Sequence, residues 1–338
     1  MSEITRKLVS VRVIDDIQPI ENADFLELAI VDGWKVVVKK GEYKVGQSVA
    51  YFEIDSFLPV EERFEFLRKS SYRNVENFGE GFRIKTIKLR GQVSQGLIMP
   101  LSEIDGGADV FEVGDDLTKF LNVIKYDPPA NSSALGADQA GLFPHFVPKT
   151  DQERIQNCFR DIAKTKDQYY EVTMKMDGTS MTVFNYEGKI GVCSRNFELK
   201  EGDNAYWKVV KDLKLDENLT ALGVNLAIQG ELMGPGIQKN REGLKEFKFF
   251  VFDVFLIDRR EYMTPYKRRE FVSDLGLSHV PLIHEASLIE DSVEDFLVKA
   301  DMKSINHPIA EGLVYKNILD PSVSFKVINN KFLLKCED

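Results

Sequence analysis

A lysine stands at the end of a predicted apolar strand and is followed by an aspartate and a glycine. The segment reads Lys175-Met176-Asp177-Gly178-Thr179-Ser180, directly after Val172 to Met174. A lysine amine is a nucleophile only without its proton, and its ordinary pKa of about 10.4 leaves little free amine at neutral pH. A nucleophilic lysine therefore needs positive charge nearby. Taken alone, the motif favours a solvated surface turn in which Asp-Gly makes the bend.

Further charged and aromatic groups follow this lysine along the chain, in or beside predicted strands. They are Ser194-Arg195, Gly230-Glu231-Leu232, Phe252-Asp253, Glu311-Gly312, Tyr315-Lys316 and Ser324-Phe325-Lys326. Carboxylate oxygens are the ligands that Mg²⁺ prefers, and scattered ones hold it largely through water. Structural alternatives stay open, because Glu231 and Glu311 also fit plain turns and Phe252 also fits the core of an aromatic strand.

As an ordered set, these segments resemble the covalent nucleotidyltransferases, the superfamily of ATP-dependent ligases and mRNA capping enzymes. Lys149 to Asn157 and Gly230 to Gln238 are similar to the RNA ligase 2 type within that superfamily. The resemblance spans nearly the whole second domain. It implies an adenylyltransferase domain whose lysine takes AMP from ATP in the presence of Mg²⁺ or Mn²⁺.

The resemblance also assigns roles to the matched residues. Lys175 is the nucleophile, and the catalytic set is completed by Asp177, Glu231, Glu311 and Lys326. Asp177, Glu231 and Glu311 are expected to hold the metal largely through water. The residues implied for ATP binding are Arg154, Met174, Lys175, Arg195, Glu231, Phe252 (stacked on adenine), Lys316 and Lys326. Where RNA ligase 2 enzymes usually have a second lysine, this chain has Ile328, and we expect Lys331 or Lys316 to compensate.

The N-terminal third has short alternating runs separated by turn signals. The predicted strands are Val9 to Val13, Leu26 to Val31, Trp34 to Val38, Ser48 to Ile54, Phe82 to Leu89 and Gly96 to Met99. Asp32-Gly33 between two of these runs predicts a tight hairpin. Five or six strands in this length predict an all-β barrel of the OB type, although a sandwich shares the pattern.

The predicted fold class is α+β overall, with an OB-fold domain at residues 1–125, a linker at 126–145 and a nucleotidyltransferase domain at 146–338. A Pro, Ser, Gly and Ala stretch after Lys125 suggests the linker. Thr150 and Glu153 have the spacing of a capping box and predict a helix that starts there. Strands are predicted at Glu171 to Met174, Thr182 to Phe184, Leu226 to Gln229, Phe247 to Phe255, Gly312 to Lys316 and Ser324 to Val327, and helices at Tyr266 to Leu275 and Val293 to Ala300.

Composition narrows the class of protein. The chain has 338 residues, 43% of them hydrophobic and 29% charged, which excludes disordered and fibrous classes. Its net charge of -10 argues against long-range attraction of the whole molecule to nucleic acid. Three distant cysteines suggest neither a disulfide framework nor a zinc cage. The sequence has no signal peptide and no apolar run long enough to span a bilayer, so we expect an intracellular, by default cytoplasmic, location without membrane contact.

Positive charge is concentrated locally although the chain is acidic. Arg83, Lys85, Lys88 and Arg90 lie within eight residues that contain no acid. We expect them to contact RNA phosphates or the ATP tail, and the alternative is a solvated edge strand.

Domain order sharpens the resemblance, because an OB domain that comes first, with nothing after the last motif, resembles the Naegleria-type RNA ligases. That family implies an ATP-dependent ligase that joins 3′-OH and 5′-phosphate RNA ends through a lysyl-AMP intermediate. We expect a nicked duplex as the form of the RNA, and no obligate protein partner is evident. The alternatives are a DNA-joining or GTP-using relative and a catalytically inactive nucleic-acid-binding module.

Overall fold

The computed structural model describes residues 6–335 except 77, 105, 106, 108, 109 and 127–137. The chain divides into two compact units, residues 1–130 and 131–338. Among the described residues, no helix has the length and apolar character needed to cross a membrane. Cys336 and most of the predicted linker lie outside the described residues.

The first unit is built almost entirely of short strands. They are β1 (Val9–Val13), β2 (Asp16–Pro19), β3 (Leu26–Val31), β4 (Trp34–Lys39), β5 (Ser48–Phe52), β6 (Ser56–Leu58), β7 (Tyr72–Val75), β8 (Gly79–Arg83), β9 (Ile87–Leu89), β10 (Gln92–Ser94), β11 (Leu97–Pro100) and β12 (Ile124–Lys125). A short helix, α1 (Arg68–Ser71), follows a 3-10 turn at Glu62–Leu67.

These strands form small sheets ordered β1-β5-β11, β2-β3-β4 and β12-β6-β8-β7, with β9 paired to β10. Strand alternation turns Val9 and Val11 inward, where they pack with Phe52, Phe64 and Phe82 in one apolar core. The all-β prediction for this unit is confirmed.

The predicted hairpin at Asp32-Gly33 is confirmed. Val31 pairs with Trp34 across a two-residue turn, and Asp32 and Gly33 both have positive φ, as this tight hairpin turn requires.

The prediction of one strand from Phe82 to Leu89 is wrong. β8 ends at Arg83, opposite Phe57, and the chain then leaves that sheet to pair as β9 with β10. Burial still alternates through Ile84 and Thr86, so the sequence pattern alone did not reveal the change of partner.

The second unit mixes strands and helices. Its strands are β13 (Gln139–Leu142), β14 (Glu153–Arg154), β15 (Tyr170–Lys175), β16 (Thr179–Tyr186), β17 (Lys189–Cys193), β18 (Phe197–Leu199), β19 (Leu226–Met233), β20 (Lys248–Leu256), β21 (Glu261–Tyr262), β22 (Ser278–His279), β23 (Leu282–Ser287), β24 (Gly312–Asn317) and β25 (Ser324–Ile328). Its helices are α2 (Ile155–Ile162), α3 (Ala205–Asp212), α4 (Leu215–Leu222), α5 (Pro265–Asp274), α6 (Val293–Ala300) and α7 (Asn330–Lys335).

Two sheets organise this unit. The wide sheet has the order β13-β18-β17-β16-β19-β20-β21, with β22 beside β20, and the narrow sheet has the order β14-β25-β24-β15-β23. One face of the narrow sheet packs Val172, Tyr315 and Phe325 against Ile155 of α2 and Phe296 of α6. The opposite face is therefore left for polar side chains.

The predicted helix after Thr150 exists but does not begin with a capping box. α2 starts at Ile155, and its N-cap residue, Arg154, has extended backbone and no side-chain cap. Glu153 and Arg154 instead pair in parallel with β25, and the Thr150 hydroxyl is 2.8 Å from that of Ser180. Strand pairing with β25 thus displaces the start of the helix from the position that the motif suggests.

The ends of the predicted linker belong to packed structure. Tyr126 lies 5.5 Å from the rings of both Phe57 and Phe78. On the far side, Gln139–Leu142 pairs with β18, and Phe146 stacks on Tyr186. Residues 127–137 lie outside the described part of the chain.

Candidate active site

The polar face of the narrow sheet carries several of the predicted site residues. Thr173 of β15 is opposite Val314, which is opposite Lys326, which is beside Arg154 of β14. Directly opposite residues share a face, and Lys175 is two residues beyond Thr173. Strand register therefore brings Lys175, Lys326 and Arg154 to one side of the sheet.

The Lys175 amine lies within a group of carboxylates. Its Nζ is 2.7 Å from Oε1 of Glu311, the residue before β24. Burial acts to lower the pKa of Lys175, but Glu311, Glu231 and Asp177 together outweigh it and raise that pKa. The free protein therefore holds the predicted nucleophile as an ammonium ion, although attack requires the free amine.

The carboxyl groups of Glu231 and Asp177 ionise less readily than ordinary carboxyl groups do. Burial, helped by the charge of Glu311, raises the pKa of Glu231 to about 8, against the attraction of Lys175. Burial and Glu311 also raise the pKa of Asp177, although Arg241 opposes this. A site with this many buried acids favours the arrival of a cation.

Arg241 is a site residue that the sequence prediction missed. Its guanidinium pairs with the Asp177 carboxylate, and its Cζ lies 5.0 Å from the ring centroid of Phe332 in α7. The next residue, Glu242, accepts a hydrogen bond of 2.6 Å from the backbone N–H of Asn306. The only sequence signal was a cation in the glycine-rich segment after the strand that bears Glu231.

Two glycines allow the site's segments to approach one another. The backbone N–H of Gly178 donates to Glu231 at 3.1 Å, and a Cβ there would lie 2.5 Å from the Leu232 carbonyl oxygen. A Cβ on Gly312 would collide with the Val327 carbonyl oxygen of β25. Glycine next to Asp177 and next to Glu311 is thus a packing requirement.

Phe252 lies at a β-bulge. Gly230 pairs with Val251 and Gln229 with Asp253, so Phe252 is the extra residue on β20. Its ring is half-buried and packs with a cluster that contains Met174.

Lys316, predicted to bind ATP, is buried. Its Nζ donates to the backbone oxygen of Phe252 at 2.9 Å and pairs with the Asp253 carboxylate. Burial lowers the pKa of Lys316 to about 8, although Asp253 opposes the shift.

The remaining predicted ATP ligands lie at different depths. Arg154 is 8% exposed and Met174 is 6% exposed, and the hydroxyl of Ser304 lies 3.5 Å from the Met174 sulfur. Arg195 is more open and pairs with Asp151, with one guanidinium nitrogen 2.8 and 3.0 Å from the two carboxylate oxygens.

The donor set fits a divalent metal. Asp177, Glu231 and Glu311 offer the oxygen ligands that Mg²⁺ and Mn²⁺ accept, around an amine that must lose its proton. In the part of the chain that the structure describes, no three acidic, histidine or cysteine side chains meet closely enough to chelate a metal. Binding of a metal by these carboxylates largely through water stays a prediction.

The four predicted RNA-binding cations lie in the first unit and are not equivalent. Lys88 lies on β9, whose three residues are all exposed, and Arg90 forms a two-residue turn with Gly91 that leads into β10. The Arg83 guanidinium lies 4.4 Å from the ring centroid of Tyr126. Lys85 is half-buried and lines a cavity of about 490 Å³ beside the hairpin.

Comparisons with known families support the two-part organisation. An OB-fold domain family matches residues 8–101, and the RNA ligase family matches residues 168–328. None of the curated proteins matches the chain by sequence.

Solved structures of Naegleria gruberi RNA ligase are similar over nearly the full length. A mutant of that enzyme with ATP and Mn is 41% identical, with a TM-score of 0.92, over 98% of this chain and 100% of that one. The enzyme with PPi is 42% identical, with a TM-score of 0.91, over 97% of this chain and 98% of that one. A mutant with AMP and Mn has the same identity of 42% and the same TM-score of 0.91.

Proposed function

Because this chain belongs to the RNA ligase family and is an ATP-dependent enzyme of that family, we propose that it joins RNA 3′-hydroxyl ends to 5′-phosphate ends through AMP carried on Lys175. RNA is the substrate class, and a nicked duplex is the form we propose it seals, without an obligate protein partner. The predicted roles of the site residues belong to the same proposal.

In the first step, the Lys175 nitrogen attacks the α-phosphorus of ATP. The nitrogen–phosphorus bond forms as the bond to pyrophosphate breaks, and the lysine proton leaves toward Glu311, whose carboxylate is 2.7 Å away. Lys326 and Arg154, on the same face of the sheet, stabilise negative charge on the phosphate oxygens. A bound divalent metal supplies further positive charge beside the carboxylates.

The second and third steps use the same groups in turn. A 5′-phosphate oxygen of RNA attacks the phosphorus of lysyl-AMP, and Lys175 leaves and regains a proton. The RNA 3′-hydroxyl then attacks the adenylylated 5′-phosphate, and AMP departs. Each step displaces one group at phosphorus, so the same cations serve all three.

The observation that carries this proposal is the convergence on Lys175. Glu311 precedes β24, Glu231 lies on β19 and Asp177 follows β15, yet all three act on one amine. A solvated lysine in a surface turn would have no such surroundings. A buried acid cluster around a lysine matches the need of a metal-assisted nucleotidyl transfer.

We place RNA contacts at the β9–β10 hairpin of the first unit. Lys88 and Arg90 are exposed cations, and Ile87 and Leu89 beside them are 38% and 37% exposed. Exposed cationic side chains on this hairpin can contact RNA phosphates, and the exposed apolar side chains beside them can contact RNA bases.

A sealing assay tests the proposed activity. We expect nicked duplex RNA to be sealed with ATP and Mg²⁺ or Mn²⁺, with little sealing of nicked DNA and none with GTP. Preferential sealing of nicked DNA, or equal activity with GTP, would contradict the substrate assignment. Ligation-defective Lys175→Ala is the matched control.

A further inference from the structure

A buried network of charged side chains lies behind the Phe252 bulge. Lys316 of β24 is 2% exposed, and Asp253 of β20 is 6% exposed. Arg268 of α5 and Glu171 of β15 are both fully buried. Such groups are rarely buried without partners, so the network needs a reason to exist.

The network joins the two sheets of the second unit. Lys316 and Glu171 are directly opposite each other on the narrow sheet, and Asp253 belongs to the wide sheet. Arg268 bridges them, because its guanidinium pairs with Glu171 and its Nη1 lies 3.6 Å from Oδ1 of Asp253. Opposite charges are therefore matched across the two sheets.

Neighbouring side chains support this pairing of opposite charges. Arg268 Nε donates to Nε2 of His279 at 3.1 Å, and Nδ1 of His279 lies 2.6 Å from the Val280 carbonyl oxygen. This arrangement requires a neutral imidazole with its proton on Nδ1. Arg269 adds a second cation on Glu171 and lies 3.5 Å from Glu285.

Lys316 reaches beyond this network to one backbone atom. Its ammonium donates to the carbonyl oxygen of Phe252, the extra residue of the bulge, at 2.9 Å. It also lies 5.3 Å from the centroid of the Phe252 ring. The polar end of Lys316 is thus committed to Phe252 and Asp253, and the residue is only 2% exposed.

We propose that Lys316 is a positioning residue that fixes the β20 bulge and so sets the Phe252 ring to stack on the adenine base, with no contact to the ATP phosphates. The inference rests on the proposed function in one respect, the assignment of Phe252 to adenine. It replaces the role that the sequence resemblance implied for Lys316. It also removes Lys316 as a substitute for the second lysine that Ile328 replaces.

Adenosine separates this role from phosphate binding, because it carries the base without any phosphate. We expect Lys316→Met to lower the affinity for adenosine and the affinity for ATP by the same factor, about tenfold. The reason is that loss of a charge-assisted hydrogen bond releases the bulge. Lys326→Met is the matched control and is expected to lower the affinity for ATP while the affinity for adenosine is unchanged. Calorimetric titration with each ligand measures both. Loss of ATP affinity in Lys316→Met with unchanged adenosine affinity would overturn the proposal.

A double variant separates positioning from charge balance and guards against a failure to fold. Lys316→Met removes the closer of the two cations that face Asp253 and leaves only Arg268, 3.6 Å away, whereas Lys316→Met with Asp253→Asn removes the carboxylate as well. We expect the double variant to regain thermal stability and to remain about tenfold weak for adenosine, because the bond to the Phe252 carbonyl is still missing. Recovery of adenosine affinity together with stability would reduce Lys316 to charge balance and contradict the proposal.

These binding measurements stand apart from ligation. If the wild-type protein binds adenosine and the variants behave as expected while no lysyl-AMP forms, the proposed function fails and the positioning role holds. If lysyl-AMP forms and adenosine affinity does not depend on Lys316, the positioning role alone fails.

Discussion

Three carboxylates surround the Lys175 amine, and two of them lie where burial opposes their ionisation. The same acids that would hold a metal also hold the amine as an ammonium ion. The free protein thus holds the proposed nucleophile in its protonated form, and in the proposed mechanism positive charge from Lys326 and a bound metal would favour release of that proton.

Glu231 should make the metal-free protein less stable as pH rises. Its folded pKa of about 8 exceeds its ordinary value of 4.5, so its contribution to stability is full below 4.5 and is lost as pH rises to about 8. We expect the Tm of the wild type, relative to Glu231→Gln, to fall by several degrees between about pH 5 and pH 8. Thermal melts in chelator measure it.

The comparison with Glu231→Gln cancels the contributions of other titrating groups to the change in Tm, because both proteins contain them. His279, whose pKa is lowered to about 4, changes stability in the opposite sense and is present in both proteins. A constant difference in Tm across this range would show that Glu231 ionises freely in the folded protein.

At the level of elements, the turn between β15 and β16 has no room for a side chain at position 178. We expect Gly178→Ala to cost about 1–3 kcal/mol and to reduce lysyl-AMP formation sharply, because the added Cβ meets the Leu232 carbonyl and the Glu231 side chain. Gly141→Ala is the control, since nothing lies within 4 Å of a Cβ there. Equal stability and activity in the two variants would contradict the packing described.

The β9–β10 hairpin gives a second prediction at this scale. Lys88→Glu with Arg90→Glu should weaken nicked-RNA binding and flatten its salt dependence by about one unit of slope for each phosphate that is no longer neutralised. Lys40→Glu with Lys119→Glu, at two exposed lysines outside the hairpin, changes the net charge by the same amount and is the control. Filter binding at several salt concentrations measures the effect. An unchanged slope would leave the hairpin as a solvated edge that only discourages aggregation.

How much the sequence predicts depends on whether an element acts alone or through a partner. Local signals predicted α6 and the strand that ends at Lys175, whereas the resemblance of the ordered set singled out Lys175, Glu231 and Glu311. The capping box failed because parallel pairing with β25 prevailed over a local motif.

The buried partners were out of reach for the same reason. Arg241 meets Asp177, and Arg268 meets Glu171, across 64 and 97 residues of sequence. An acid inside an aromatic strand, Asp253, indicated that a buried cation was needed but not which one. Lys316 is buried beside the bulge at Phe252, and no residue pattern marks that bulge.

At the scale of the whole molecule, the cationic hairpin and the predicted adenylylation residues belong to different units of the chain. The net charge of -10 repels nucleic acid at long range, while exposed cations lie on one hairpin of the first unit. The predicted adenylylation residues all belong to the second unit, which has its own apolar cores.

This division predicts that a fragment of residues 138–338 still forms lysyl-AMP at a rate within about threefold of the full chain, because a unit with its own core can fold alone. It should seal nicked RNA poorly, since the hairpin is missing. Labelling and sealing assays on the fragment and the full chain compare the two activities. A folded fragment without any adenylylation would place part of the first step in the first unit.

The most direct test of lysyl-AMP chemistry is to find where AMP is attached. The protein is first treated with pyrophosphate to remove any bound AMP, then incubated with ATP and Mg²⁺ or Mn²⁺ and digested for mass spectrometry. We predict one AMP adduct, on Lys175, that is absent in Lys175→Ala and disappears when nicked RNA is added. No adduct, or an adduct on another lysine, in protein shown to be free of AMP beforehand would contradict the assignment of Lys175 as the nucleophile.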